Sequence, residues 1–354
     1  MSGAVTTLPS VTERLEPVLD AVAERAARID AAEDDTRTVL HELGSAGLLT
    51  LGAPGHDGTL ADQARVAREL AARCMASAFS TWAHRLAVEY VAGWAPPSLR
   101  DEMLAELATG QRAGATAMAT AFQDALGLKQ LPVDARLEGD TLVLDGAIPW
   151  ASNLFADGAV VVVPARADDG RRLVVALRTT DPGVSLAPSP PLLALDATAS
   201  TSVRLQDVRL PAGRLLTDRF LDFLAGVRRP FLLLQTALCL GLTDAALAGV
   251  EGRLTGTAEA LEPDHDLLRR RVSTLDDRFA GQLEATGPVD EDVVRLRLNA
   301  AWLAVEASRH ESAVRGGAGY VATSGTARRL REAAFLPVQS PTEAQLRWEL
   351  SRSA

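Results

Sequence analysis

The feature that most constrains the fold is a change of sequence pattern that occurs twice along the chain. Residues 10–120 carry apolar side chains at helical spacing, with capping and helix-ending residues between the runs. From about residue 114 to 205 the pattern becomes short β-branched or alternating runs separated by Asp, Gly and Pro. After Pro211 the helical pattern returns. This order predicts an α+β protein whose two helical segments pack together around a β insertion.

Local signals give the expected boundaries of these elements. Ser10 or Thr12 is expected to cap a first helix that reaches Ala32, and Thr59 is expected to cap a later one. Further helices are predicted over residues 36–46, 61–94, 99–109, 229–252, 264–283 and 290–315. Strands are predicted within residues 134–163, 172–177, 184–187 and 200–205. Six or seven short strands with turn residues between them are typical of a small β-barrel or sandwich.

Charge and composition exclude several kinds of protein. The chain has 354 residues and a net charge of −10, whereas a nucleic-acid-binding protein needs a basic surface. Cys74 and Cys239 lie in apolar helical surroundings, so we expect two buried thiols and no disulfide. The five histidines show no metal-binding spacing, and no metal site is expected.

The sequence also bears on location. The first residues lack a basic stretch followed by an apolar core, so no secretory signal is expected. The most apolar run, residues 231–242, is too short to cross a bilayer. We therefore expect a cytoplasmic protein that does not interact with a membrane.

Several segments resemble one known family. Residues 316–349 read GGAGYVATSGTARRLREAAFLPVQSPTEAQLRWE, a glycine-rich turn, an Arg-Glu-Ala step and a loop that enters the last helix. Residues 139–153 (GDTLVLDGAIPWASN), 200–216 (STSVRLQDVRLPAGRLL) and 42–59 (ELGSAGLLTLGAPGHDGT) complete the set. Together they resemble the acyl-CoA dehydrogenase family over nearly the whole chain. The resemblance implies an N-terminal helical domain (1–113), a β domain (114–216) and a C-terminal helical bundle (217–354).

The resemblance also implies FAD as cofactor. In the family, a Trp-x-Thr step lies against the flavin ring, and the matching residues here are Trp150 and Ser152. The threonine of a family Thr-Glu-Pro motif matches Thr120, which keeps the hydroxyl that contacts the flavin. These three residues are the flavin-ring candidates.

Three more candidates concern the rest of the cofactor. Gly316 and Gly317 match a loop that approaches FAD bound mainly by a neighbouring subunit, which implies a dimer or tetramer. Arg253 lies one position away from a family arginine that grips the FAD pyrophosphate. Arg331 and Glu332 match an Arg-Asp pair and are expected to form a structural salt bridge.

The chain departs from the family where a base is usually found. Gln339 occupies the position of the usual catalytic glutamate, and an amide is no general base near neutral pH. Glu343, one helical turn further, is the candidate substitute. If Gln339 stands over the flavin, Gln339→Glu is expected to raise or create dehydrogenase activity. Residues 121–127 (AFQDALG) replace the family's Glu-Pro-x-x-Gly-Ser-Asp loop.

Three functions remain open from the sequence. The first is an FAD-dependent acyl-CoA dehydrogenase-like oxidoreductase that acts on an acyl thioester of CoA or a carrier protein. The second is a catalytically impaired partner subunit of a hetero-oligomeric flavoenzyme. The third is a flavin enzyme of the same fold that uses oxygen and needs no base at position 339.

Overall fold

Five helices form the N-terminal part of the computed structural model, which describes residues 10–352. They are α1 (Val11–Asp30), α2 (Arg37–Ser45), α3 (Leu60–Arg73), α4 (Met75–Trp94) and α5 (Pro97–Ala108). The single apolar run predicted over 61–94 is thus two helices. The backbone at Cys74 is extended, which ends α3 and turns the chain into α4.

Reciprocal side-chain caps fix the starts of α1 and α3. The N–H of Glu13 donates to Ser10 Oγ at 3.3 Å, and the N–H of Ser10 donates to Glu13 Oε2 at 2.8 Å. Thr59 and Asp62 form the same arrangement at the start of α3. Each pair satisfies two backbone donors that a helix start otherwise leaves without partners. The caps predicted at Ser10 and Thr59 are confirmed.

Eight strands follow and form one connected mixed sheet. They are β1 (Ala113–Thr116), β2 (Val133–Glu138), β3 (Thr141–Ala151), β4 (Ala159–Ala167), β5 (Arg172–Arg178), β6 (Val184–Leu186), β7 (Thr201–Pro211) and β8 (Leu215–Thr217). The order is β6-β7-β3-β2-β4-β5-β8, and β1 pairs in parallel with β4. The two strands that the sequence did not predict, β1 and β8, have four and three residues, too few to show an alternating pattern.

Strand β4 lies at the centre of the β domain. Its residues 159–165 are all buried, because neighbouring strands flank it and both faces of the sheet are covered there. Burial on both faces explains why this strand is a continuous apolar run and not an alternating one. Helix α4 packs against β1 and so joins the sheet to the helical layer.

A short helix, α6 (Ala119–Ala125), lies between β1 and β2. The loop predicted for residues 121–127 is therefore wrong for most of this segment. The segment holds neither Gly nor Pro, and it buries Phe122, which gives the turn a packing partner. Gly127, with φ of +70°, follows the helix where a left-handed residue is needed.

Five helices form the C-terminal part. They are α7 (Phe220–Ala248), α8 (Glu262–Glu284), α9 (Glu291–Gly319), α10 (Gly325–Phe335) and α11 (Glu343–Leu350). Helix α7 has 29 residues and begins at Phe220, well before the predicted start at 229. It is long and apolar enough to span a membrane, but 83% of its most apolar stretch is buried inside the protein, as in a core helix. Cys239 on α7 and Cys74 are both buried and free, as predicted.

Candidate active site

The end of β3 exposes an indole beside a chain of hydroxyl groups. Trp150 is 57% exposed to solvent. Ser152 Oγ lies 2.7 Å from Ser200 Oγ, which lies 2.7 Å from Thr198 Oγ1, and Thr198 donates to the carbonyl of Leu195 at 2.8 Å. A carbonyl only accepts, so Ser200 donates to Thr198 and Ser152 donates to Ser200. The lone pairs of Ser152 are therefore left to accept a hydrogen bond from a ligand.

Asn153 fixes this strand end to the helical layer. It is fully buried, with φ of +66°. Its Nδ2 donates to the carbonyl of Ser80 in α4 at 2.8 Å and to the carbonyl of Gly114 in β1 at 2.9 Å. Its backbone N–H donates to the carbonyl of Thr198 at 2.8 Å. One side chain thus joins β3, β1 and α4 next to Trp150 and Ser152.

His84, in α4, also supports this region, through its contact with the start of β1. The N–H of Gly114 donates to His84 Nδ1 at 2.9 Å, and His84 Nε2 lies 2.9 Å from the carbonyl of Leu107. Because Nδ1 accepts, the ring proton is on Nε2 and the imidazole is neutral. Complete burial lowers the pKa of His84 to about 4. Its role is to position β1 and not to transfer protons.

Thr120 lies on the first turn of α6. Its Oγ1 donates to the carbonyl of Ala117 at 3.2 Å, and the side chain is half-buried. The hydroxyl oxygen keeps its lone pairs for a ligand. The hydroxyl predicted to contact the flavin is thus presented by a helix and not by the expected loop.

A row of aromatic rings, all buried except the half-buried Phe335, lies between the helices. Phe335 packs edge-on against Phe79 with ring centroids 4.8 Å apart, and Phe79 stacks on Trp82 at 5.3 Å. Trp82 packs edge-on against Phe231 at 5.1 Å, and Phe231 against Phe122 of α6 at 4.9 Å. The row therefore joins α10, α4, α7 and α6 and fills the space between them with apolar surface.

Gln339 lies inside the protein, in the loop between α10 and α11. Its Oε1 accepts a hydrogen bond from Nη2 of Arg297 at 3.2 Å. Arg297, which is fully buried on α9, also donates from Nε to Gln235 Oε1 at 2.8 Å and from Nη2 to the carbonyl of Leu336 at 3.3 Å. Gln235 Nε2 donates to the carbonyl of Ser340 at 2.8 Å. The residue at the base position is thus held by a buried cation.

Arg297 is not among the residues that the sequence indicates for the site, because an arginine in a charged helix usually points to water. A signal was nevertheless present. The predicted apolar stripe of α9 includes Val294 and Ala301, and Arg297 lies three residues after the first and four before the second. An arginine at that spacing lies on the buried face of the helix.

Glu343, the substitute base, is the first residue of α11. Its Oε1 lies 2.7 Å from Nη2 of Arg347, one turn further along the same helix. The guanidinium of Arg347 lies over the ring of Trp302, 4.6 Å from the centroid. The carboxylate of Glu343 is therefore paired with a cation.

The remaining cofactor candidates lie on the surface of the C-terminal helices. Gly316 has φ of +56° and ψ of −143° and kinks α9, at the place where the sequence predicts a loop after a long helix. A Cβ atom added at Gly316 or Gly317 would meet nothing within 4 Å. Arg253 is exposed in the turn after α7. All three residues are exposed.

The predicted salt bridge between Arg331 and Glu332 is not formed. Arg331 pairs with Asp30 at the end of α1. Glu332 is buried; it accepts from the N–H of Met75 at 3.2 Å and lies 3.7 Å from Arg328. Neighbouring residues of a helix point in different directions, so each side chain finds a partner on another turn or element. Glu332 caps the start of α4, where Cys74 provides no side-chain cap.

The chemistry of Trp150 and Ser152, at the end of β3, suits the predicted flavin ring. The exposed indole of Trp150 offers an apolar face, and Ser152 offers an acceptor oxygen beside it. The open space around Gly316 and Gly317 suits close approach of a second chain or a phosphate. The end of β3 therefore offers an apolar face and an acceptor oxygen within one chain, and the glycine pair offers an open backbone surface.

Comparisons with known proteins agree with this architecture. Residues 15–111 match the family model described as "Acyl-CoA dehydrogenase, N-terminal domain". The chain is 23% identical over 360 residues to the probable acyl-CoA dehydrogenase YngJ of Bacillus subtilis (strain 168), which covers 94% of this chain and 93% of that protein.

Solved structures share the whole fold. The butyryl-CoA dehydrogenase of Megasphaera elsdenii superposes with a TM-score of 0.85 at 18% identity and covers 100% of this chain and 99% of that one. A glutaryl-CoA dehydrogenase of Mycobacterium smegmatis, solved in complex with FADH2, superposes with a TM-score of 0.80 at 17% identity and covers 99% and 96%. Residues 15–111 thus match the N-terminal domain of the acyl-CoA dehydrogenase family, and the chain as a whole has the fold of the acyl-CoA dehydrogenases.

Proposed function

We propose that this protein is a flavin-dependent oxidoreductase that acts on an acyl thioester. The observation that carries the proposal is the exposed Trp150 indole beside a hydroxyl chain that leaves Ser152 as a hydrogen-bond acceptor. The FADH2 complex of one structural relative and the butyryl-CoA named for another support a flavin and a thioester here.

The chain's own residues would hold FAD at two places. Trp150 would offer an apolar face to the flavin ring, Ser152 would offer an acceptor for a hydrogen bond, and Thr120 would offer a second hydroxyl. Arg253 and the pair Gly316 and Gly317 would serve the phosphates or adenosine of FAD bound mainly by a neighbouring subunit, in a dimer or tetramer. When bound, the flavin supplies a hydride acceptor.

A simple dehydrogenase mechanism needs a base that removes a proton, and the two candidate residues are poorly suited to this step. Gln339 is no base near neutral pH, and its acceptor oxygen is already used by Arg297. The carboxylate of Glu343 already has a partner, because its Oε1 lies 2.7 Å from Nη2 of Arg347. Dehydrogenation in this site would therefore need a proton acceptor from solvent or from another chain.

This arrangement favours a second candidate, a catalytically impaired partner subunit of a hetero-oligomeric flavoenzyme. The specific observation is that the residue at the base position is an amide locked to a buried guanidinium. In both readings the acyl group is carried by CoA or a carrier protein, and the location is cytoplasmic.

An absorption spectrum of the purified protein, with and without added FAD, tests the first proposal. We expect flavin bands that survive gel filtration. In Trp150→Ala the retained flavin should fall several-fold, because the ring loses its stacking surface. Leu137→Ala is the matched control, since Leu137 is also a largely exposed apolar residue of the β domain. A colourless wild-type protein that does not bind added FAD would favour the second candidate, the catalytically impaired partner subunit.

A further inference from the structure

Asp124 is a buried carboxylate near the end of the short helix α6. The residue is 9% exposed, and its Oδ2 is in ion-pair contact with Nε of Arg172. Oδ2 receives no well-aligned hydrogen bond from the part of the chain that the structure describes. A buried carboxylate is costly unless a positive charge compensates it. The charge of Arg172 is therefore what holds Asp124 in this place.

Arg172 connects α6 to two further elements. It is the first residue of β5, so its backbone belongs to the sheet. Its guanidinium lies over the ring of Phe220, 5.9 Å from the centroid, and Phe220 is the first residue of α7. The side chain of Arg172 therefore joins the end of α6 to the sheet and to the start of α7.

Helix α6 depends on such contacts for its position. It has seven residues, and no side chain caps its start. A helix of this length is not stable in water by itself, so the surrounding structure must hold it. Just before α6 the N–H of Ala117 donates to the carbonyl of Val162 in β4 at 3.0 Å, and in its middle Phe122 packs on Phe231. Asp124 supplies the charged contact near its end.

Thr120, one of the flavin candidates, lies between these contacts. Asp124 follows Thr120 by four residues, so the two side chains lie on the same face of α6, one turn apart. Phe122, two residues after Thr120, points in another direction. Packing at Phe122 sets the distance of α6 from α7 but leaves rotation about that point. The ion pair with β5 removes this rotation and so fixes the direction of the Thr120 hydroxyl.

We propose that Asp124 and Arg172 are positioning residues for the cofactor. Their ion pair holds α6 in the orientation in which Oγ1 of Thr120 accepts a hydrogen bond from the flavin. Both residues act through Thr120 and need not touch the flavin. The statement about the flavin rests on the proposed function, whereas the restraint of α6 by the ion pair does not.

Amide hydrogen exchange of residues 119–125, followed by mass spectrometry, tests the restraint of α6 without any flavin. Asp124→Asn keeps the shape of the side chain and removes its charge. We expect exchange in this segment to be about fivefold faster, or more, than in the wild type. Asp169→Asn is the matched control, because Asp169 also pairs with an arginine of the β domain, Arg171, but away from α6. Unchanged exchange in Asp124→Asn, or equal acceleration in both variants, would overturn the proposal.

Fluorescence titration with FAD tests the consequence for the cofactor. The Kd should rise about fivefold or more in Asp124→Asn and in Arg172→Gln, and no further in the double variant, because each change removes the same pair. Arg172→Lys keeps the charge and should retain part of the affinity.

A purely structural role would lower the Tm of Asp124→Asn and leave the Kd for FAD of the folded protein unchanged, and that result would refute the positioning role. Arg172→Gln, at an exposed residue, decides the matter if Asp124→Asn does not fold. If the wild-type protein binds no FAD, the proposed function fails together with the flavin part of this inference. Hydrogen exchange then still decides whether the ion pair holds α6.

Discussion

Nη2 of Arg297 donates to Oε1 of Gln339 across 3.2 Å, in a part of the core where both residues are buried. This contact decides what position 339 can do. A neutral amide accepts a hydrogen bond from one nitrogen of the guanidinium without adding charge. A carboxylate at the same place would instead form a buried ion pair with Arg297.

Gln339→Glu is therefore expected to give no dehydrogenase activity. The cation beside it would hold the new carboxylate in its ionised form and lower its pKa, which makes it a poor base. The sequence alone predicts a gain of dehydrogenase activity, whereas the contact with Arg297 predicts none. The experiment distinguishes these two expectations. The measurement is reduction of an artificial electron acceptor over a panel of acyl-CoA chain lengths, in protein that holds flavin.

The double variant Gln339→Glu with Arg297→Gln is the matched comparison, because it keeps the carboxylate and removes the cation. Activity in the double variant but not in the single one supports the restraint by Arg297. Activity in Gln339→Glu alone would show that the pair does not restrain the carboxylate.

Acid should destabilise the protein through His84. Its pKa is about 4 in the folded state, against an ordinary value near 6.5, so the folded state binds fewer protons between these values. The stability is fully present above about pH 6.5 and is lost as the pH falls toward 4. The loss amounts to about 3 kcal/mol. Urea unfolding of the wild type and His84→Gln across this range measures it, and parallel curves would refute the assignment.

Asn153 contributes two side-chain hydrogen bonds and also holds a left-handed backbone conformation. A pair of variants can separate these two contributions to stability. Asn153→Gly loses the hydrogen bonds to Ser80 and Gly114 but tolerates φ of +66°, and should cost about 2 kcal/mol. Asn153→Ala loses the same bonds and also strains the backbone, which adds about 1 kcal/mol. The free energy of unfolding in urea gives both values. If Asn153→Ala were as stable as Asn153→Gly, the left-handed backbone at this position would have no cost in unfolding free energy.

The row of rings should be a major source of stability. Phe231 contacts both Trp82 and Phe122, so Phe231→Ala opens a cavity between α4, α6 and α7 and should cost about 3–5 kcal/mol. Tyr320→Ala is the control, because Tyr320 is 83% exposed and its loss should change stability by less than about 0.5 kcal/mol. Similar unfolding free energies for the two variants would contradict the packing described here.

The local elements follow directly from the sequence. Ser10 and Thr59 cap helices where predicted, because capping depends only on residues three positions apart. The order of helices, sheet and helices was readable for the same reason, since apolar periodicity reports which face of an element is buried. Elements too short to show a period, such as β1, β8 and α6, were missed or taken for loops.

The partners of buried charges were decided only by the tertiary structure. Nothing near Gln339 in the sequence indicates Arg297, which is 42 residues away and meets it because α7, α9 and the loop before α11 pack together. Arg331 and Glu332, adjacent in sequence, instead pair with Asp30 and with Arg328 and the start of α4. The sequence by itself determined periodicity and caps, which are local. Burial and pairing of charges depend on long-range packing, which no local pattern encodes.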